Sequence, residues 1–227
     1  MIYFDTDYMA GAHPKVMQRL MQTNGEQTVG YGSDHYTLRA KELVKQACSA
    51  PDARVYFLVG GTQTNSTVID GVLERHEGGL AAESGHISVH ESGAIEATGH
   101  KVLTLPSYDG KVKAEDVRKF INNFYNDDTY EHMVAPGMLY ISFPTEYGTL
   151  YSLDELENLS EACHDAGIPL FIDGARLGYG LVAEGNDVTF ADIARLSDVF
   201  YIGGTKVGAL FGEAVVITNP DLLKHPV

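Results

Sequence analysis

Short apolar runs separated by helical patterns and glycine-rich turns recur along the whole chain, and no other feature restricts its fold as strongly. Residues 54–59 (RVYFLV), 79–83 (GLAAE), 101–105 (KVLTL), 138–143 (MLYISF), 169–173 (PLFID), 198–202 (DVFYI) and 214–218 (AVVIT) read as strands. Most are continuously apolar instead of alternating, the pattern of strands covered on both faces. Between them, residues 13–23, 37–50, 64–76, 114–123 and 153–166 carry apolar positions at helical spacing. Asn24-Gly25, Pro51-Asp52 and Gly167 supply stops. Strands alternating with helices imply an α/β fold, a mostly parallel sheet flanked by helices. Residues 122–131 (NNFYNDDTYE) are expected to form a solvated acidic loop.

Composition narrows the function. Sixteen Lys and Arg face 31 Asp and Glu, a formal charge of −15. Such a chain cannot neutralise phosphates along a nucleic acid, nor favour an anionic membrane surface. The 44% hydrophobic content is enough for a real core. No apolar run approaches the roughly 20 residues of a membrane helix, and no signal peptide is visible. Cys48 and Cys163 make no disulfide framework, so a reducing cytoplasmic setting is expected.

In open α/β sheets ligands sit where strands run into helices, and three such places carry unusual residues. Residues 59–65 (VGGTQTN) end a strand in two glycines and open a helix with hydroxyl and amide side chains. Glycines admit an anion to the backbone, and the helix start offers unpaired amides and partial positive charge. Residues 171–177 (FIDGARL) leave Asp173 at a strand end, with Arg176 three residues on. Residues 201–208 (YIGGTKVG) set Lys206 among small residues just past a strand. A desolvated lysine can lose its proton and form a Schiff base. Taken singly, each has a plain structural reading: a glycine turn with a Thr cap, an N-cap Asp with an ion pair, a solvated loop Lys. Together they fit pyridoxal 5'-phosphate (PLP), which needs a phosphate anchor, a carboxylate on its pyridine nitrogen and a lysine.

With Phe4-Asp-Thr-Asp-Tyr8, residues 11–14 (GAHP), 30–34 (GYGSD) and 83–87 (ESGHI), these stretches resemble, in order, the fold-type-I PLP enzymes of the threonine aldolase and β-eliminating lyase group, with their aspartate aminotransferase-like fold. The resemblance implies a seven-stranded, mostly parallel large domain over residues 16–227, preceded by an N-terminal arm of residues 1–15. It makes Lys206 the lysine that bonds the cofactor, Asp173 the partner of the pyridine nitrogen, and His86 the residue stacked on the ring. Catalysis would rest on Lys206, His86 and Asp173. Gly61 and Thr62 would bind the phosphate, supported by Gln63 and Asn65. Arg176 would lie near cofactor and substrate carboxylate, with Thr6 near that carboxylate. Tyr31 and Asp34 would stand in a loop approaching the site.

The reaction implied is cleavage of the Cα–Cβ bond of a β-hydroxy-α-amino acid to glycine and an aldehyde, in a homodimer or homotetramer. β-Elimination or transamination on the same scaffold, or a non-catalytic or truncated chain acting in binding or assembly, are the alternatives. Two departures stand out: residues 143–149 (FPTEYGT) replace an Asn-Thr-His stretch, and Thr205 replaces a Ser. The family's small C-terminal domain has no counterpart before residue 227, so the chain is expected to be a fragment that alone binds PLP weakly. Residues 86–90 read poorly as helix, and no metal is expected on His86 and His90. His13, His76, His100 and His164 are expected at the surface.

Overall fold

The computed structural model describes Tyr3 and residues 5–223. Phe4 of the opening motif and residues 224–227, where the chain end was read, lie outside the described residues. Helices α1 (Pro14–Thr23) and α2 (His35–Ala47) lead into β1 (Arg54–Leu58). Then come α3 (Gly61–Val72), β2 (Glu77–Ala82), α4 (His86–Val89), β3 (Lys101–Leu105), α5 (Ala114–Tyr125) and β4 (Ala135–Ser142). The chain continues through α6 (Leu153–Asp165), β5 (Leu170–Asp173), α7 (Leu177–Gly180), α8 (Phe190–Leu196), β6 (Val199–Gly203) and β7 (Glu213–Ile217).

The seven strands form one sheet in the order β1-β7-β6-β5-β4-β2-β3. Four neighbouring pairs are parallel, and β7 runs antiparallel to both β1 and β6. The physical reason for the reversal is length. Only residues 204–212 join β6 to β7, too few for the dozen or more that a parallel crossover needs. Lys206 therefore rides on a hairpin connection, not at the start of a crossover helix.

Successive strand residues point to opposite faces. In β4, Leu139 and Ile141 enter one buried cluster with Leu156, Leu159 and Ile193, while Met138 and Tyr140 enter the other with Ile69 and Phe171. Both faces are covered, which is why the run reads as continuously apolar. Truncating a fully buried member such as Leu156 costs about 2–5 kcal/mol by lost transfer energy and a cavity.

The α6 start is fixed by a capping box. Ser152 Oγ accepts the Glu155 amide at 3.2 Å, and Glu155 accepts the Ser152 amide at 2.8 Å. Thr189 and Asp192 build the same device for α8, a helix the apolar pattern misses because seven residues are too few to show a period. Four expectations are corrected. Helix α3 begins at Gly61 instead of Thr64, residues 86–89 do form a helical turn, residues 122–125 are the last turn of α5, with Phe124 buried, instead of a solvated loop, and His100 is buried. His100 Nδ1 lies 3.0 Å from the Glu77 carbonyl, so a backbone partner lets a polar ring enter the interior.

Candidate active site

The carboxyl ends of β4, β5 and β6, the start of β7 and the entry to α3 surround a cavity of about 350 Å³. Gly60 is extended (φ −165°, ψ 164°), and α3 starts directly after it with no side-chain cap. The amides of Gly61, Thr62 and Gln63 have no intrahelical partner, and Gly60, Gly61 and Thr62 line the cavity. Gln63 stays out of it and accepts the Val59 amide at 3.0 Å, tying strand end to helix start. A Cβ on Gly61 would stand 3.1 Å from Tyr201 Oη. The glycine lets backbone and phenol approach, leaving the helix start bare toward the cavity.

Asp173 ends β5 and is buried. It does not cap α7, whose N-cap is Arg176. Its Oδ1 accepts Tyr201 Oη at 2.5 Å and the Ala175 amide at 2.9 Å. Its Oδ2 accepts Tyr140 Oη at 2.5 Å and Asn65 Nδ2 at 3.0 Å. Burial, then the Asp173 charge, push both tyrosine hydroxyls well above their ordinary range, so they remain donors. Gly174 follows because β5 and β6 come together here: a Cβ would fall 1.9 Å from the Tyr201 carbonyl oxygen.

On the adjoining wall, His86 Nδ1 lies 2.8 Å from Glu91 Oε1, which also accepts Asn65 Nδ2 at 2.7 Å. Asn65 thus joins the histidine pair to Asp173. The first turn of α4 is held by Glu146, which accepts the His86 amide at 2.8 Å and Ser142 Oγ at 2.7 Å. The departure at residues 143–149 therefore sends a carboxyl into the cavity wall. The Glu91 hydrogen bond raises the His86 pKa against the lowering effect of burial. Glu91→Gln is expected to drop it below its ordinary 6.5, since burial and Lys206 then outweigh Asp173. A raised histidine pKa contributes stability below the unfolded value and loses it as pH rises through the folded one. The variant should therefore lose more stability at mildly acid than at alkaline pH. A ring-proton NMR titration with an unchanged midpoint would contradict this.

Lys206 has a side chain 15% exposed, and burial, then the nearby Arg176 charge, lower its pKa. Its Nζ stands 3.8 Å from Asp7 Oδ1, and Asp7 also takes two donors of Arg176. Burial raises the Asp7 carboxyl, but the Arg176 hydrogen bond and the Lys206 charge outweigh it and hold it below the usual range. Tyr179 Oη donates to the Lys206 carbonyl at 2.5 Å, and the His13 amide donates to Gly208 at 2.8 Å, so the arm lies along this connection.

Gly61, Thr62, Asn65, His86, Asp173, Arg176 and Lys206 thus meet in one cavity. Four residues do not join them: Gln63, held on the Val59 amide, and three that lie further off. Thr6 is exposed in a neighbouring hollow beside Tyr179; consecutive side chains of a non-helical segment project differently, and Asp7 is the one that reaches Arg176. Tyr31 is fully exposed, and Asp34 caps α2 by accepting the Thr37 amide at 2.8 Å. Sequence reasoning missed Asp7, Tyr140, Tyr201 and Glu213, and read Glu146 only as part of a departure bearing on substrate choice. The two tyrosines sit inside apolar runs and read as core. A carboxyl within four residues of MLYISF was the only local signal for Glu146.

A family model described as beta-eliminating lyase matches residues 4–227. Low specificity L-threonine aldolases of Pseudomonas sp. and Pseudomonas aeruginosa are 30% and 29% identical, over 96% of this chain. The chain spans 62% of the length of each. A threonine aldolase structure from Leishmania major is 47% identical with a TM-score of 0.91, over 96% of this chain and 63% of that one.

Proposed function

We propose, because this chain belongs to the beta-eliminating lyase family, that it carries the cofactor face of a PLP-dependent aldehyde lyase. Its substrate would be a β-hydroxy-α-amino acid, split at Cα–Cβ into glycine and an aldehyde. The observation that carries this reading is the donor set of one cavity: a bare helix start, a buried carboxyl and a desolvated amine. These fit a phosphate, a protonated pyridine nitrogen and an aldehyde carbon. Threonine aldolases of two Pseudomonas strains and of Leishmania major, similar over nearly the whole chain, support it.

When bound, PLP supplies a sink for the electron pair of the breaking bond. The first-turn amides of α3 and the Thr62 hydroxyl would hold the phosphate, and Gln63 keeps their turn in place. Asp173, oriented by four donors, would meet the pyridine nitrogen. Lys206 is poised for covalent attachment because burial makes its amine easier to deprotonate. With Nδ1–H directed at Glu91, neutral His86 keeps Nε2 free to accept the β-hydroxyl proton. Arg176 would hold the substrate carboxylate in the place Asp7 now takes, with Thr6 on the neighbouring stretch of the arm. We take residues 1–15 as an arm and 16–227 as the cofactor domain.

The chain is further proposed to act as a cytoplasmic homo-oligomer. Both cysteines are free and buried, and among the described residues no helix is long and apolar enough to cross a membrane. Helix α1 buries none of its residues and exposes Met17, Leu20 and Met21, an apolar stripe suited to a second copy. A product assay tests the reaction. Incubation of the PLP-loaded protein with threonine should release acetaldehyde and glycine in equal amounts. 2-Oxobutanoate with ammonia instead would assign elimination, and a 2-oxo acid without free ammonia would assign transamination.

A further inference from the structure

The turn that carries Lys206 is fastened by one buried carboxyl. Glu213, the first residue of β7, is 3% exposed and lines the cavity. One of its oxygens accepts Thr205 Oγ1 at 3.0 Å, and the other accepts the Gly204 amide at 3.2 Å. Both donors immediately precede Lys206, and neither carries a charge. The groups that face Glu213 are Lys206 on the same connection, Asp173 at the end of β5 and Tyr201 on β6. Arg176 and Asp7 bear on Lys206 itself. We propose that Glu213 is a positioning residue that fixes the turn presenting Lys206 and, by its charge, helps keep the proton on the Lys206 amine. This rests on the reading of Lys206 as the reacting amine.

The sign follows from the neighbours. Burial pushes the Glu213 carboxyl up to about 7, so its charge changes in the neutral range. Above that value the carboxylate attracts the Lys206 ammonium and holds its proton on. Below it the neutral acid keeps its contacts with Thr205 and Gly204 but no longer favours the ammonium. Glu213→Gln reproduces the uncharged form at every pH.

The test is competitive acetylation of the full chain with acetic anhydride before cofactor is added, with Lys206 quantified by peptide mapping across the neutral range. Above pH about 7 the Gln variant should acetylate Lys206 measurably faster than the parent. Below it the two rates should coincide. The parent alone should show a break in its Lys206 profile near the same pH, which keeps the test valid should the variant fold poorly. A turn merely loosened would raise the rate at all pH values. That result, equal rates throughout, or a parent profile without the break would each overturn the proposal. No cofactor takes part, so failure to bind PLP would sink the functional reading and leave this result standing.

Discussion

Lys206→Ala is expected to lower aldehyde release by about 10³-fold or more and to remove all cofactor retained through a covalent bond. The amine combines covalent attachment with proton transfer, and the second role alone is worth roughly 10²–10⁴-fold. Among the described residues no other lysine matches its surroundings: Lys101 and Lys113 are exposed, and Lys113 lies over the Tyr108 ring at 4.1 Å. The fold should survive, because the side chain only partners Asp7 at the cavity rim. Circular dichroism and melting temperature close to the parent's, with turnover lost, are the expected pair. Turnover within a few-fold of the parent would show that the amine does not react.

Asp173→Asn should cost both chemistry and stability. A hydrogen bond to a charged group contributes about 1.5–3 kcal/mol, so loss of the ring-nitrogen contact should slow turnover roughly ten- to a hundred-fold. The stability cost comes from the four donors. Asn keeps one oxygen acceptor and turns the other position into an N–H₂ group facing two donors. Either Tyr201 and the Ala175 amide or Tyr140 and Asn65 lose their acceptor. Leaving buried donors unpaired costs about 1–3 kcal/mol each. A cofactor-bound variant with reduced turnover and a lower melting temperature is expected. Near-full turnover would make Asp173 a purely structural residue.

The parts of the site legible in the sequence are those with a local signature. Asp173 and Lys206 follow apolar strands and stand beside glycines, and Gly60-Gly61 ends a strand. The sheet too was readable, since strand length and continuous apolarity are local. What escaped reading is set by pairing across the chain. Tyr140 and Tyr201 are apolar-run residues until the register brings both hydroxyls onto one carboxyl, 33 and 28 positions away. Asp7 meets Arg176 across 169 positions. Glu213 precedes AVVIT like any charge ahead of a strand, and only the hairpin folds it beneath Thr205. Sequence position names Thr6 but cannot say which way an arm's side chains turn, and it is Asp7 that meets Arg176.

The central claim, that Lys206 is the attachment point in a PLP site, is tested most directly by loading the protein with PLP, reducing with borohydride and mapping the labelled peptide. The account predicts one label, on Lys206. Label on Lys101 or Lys113, or none after saturating PLP, would contradict it.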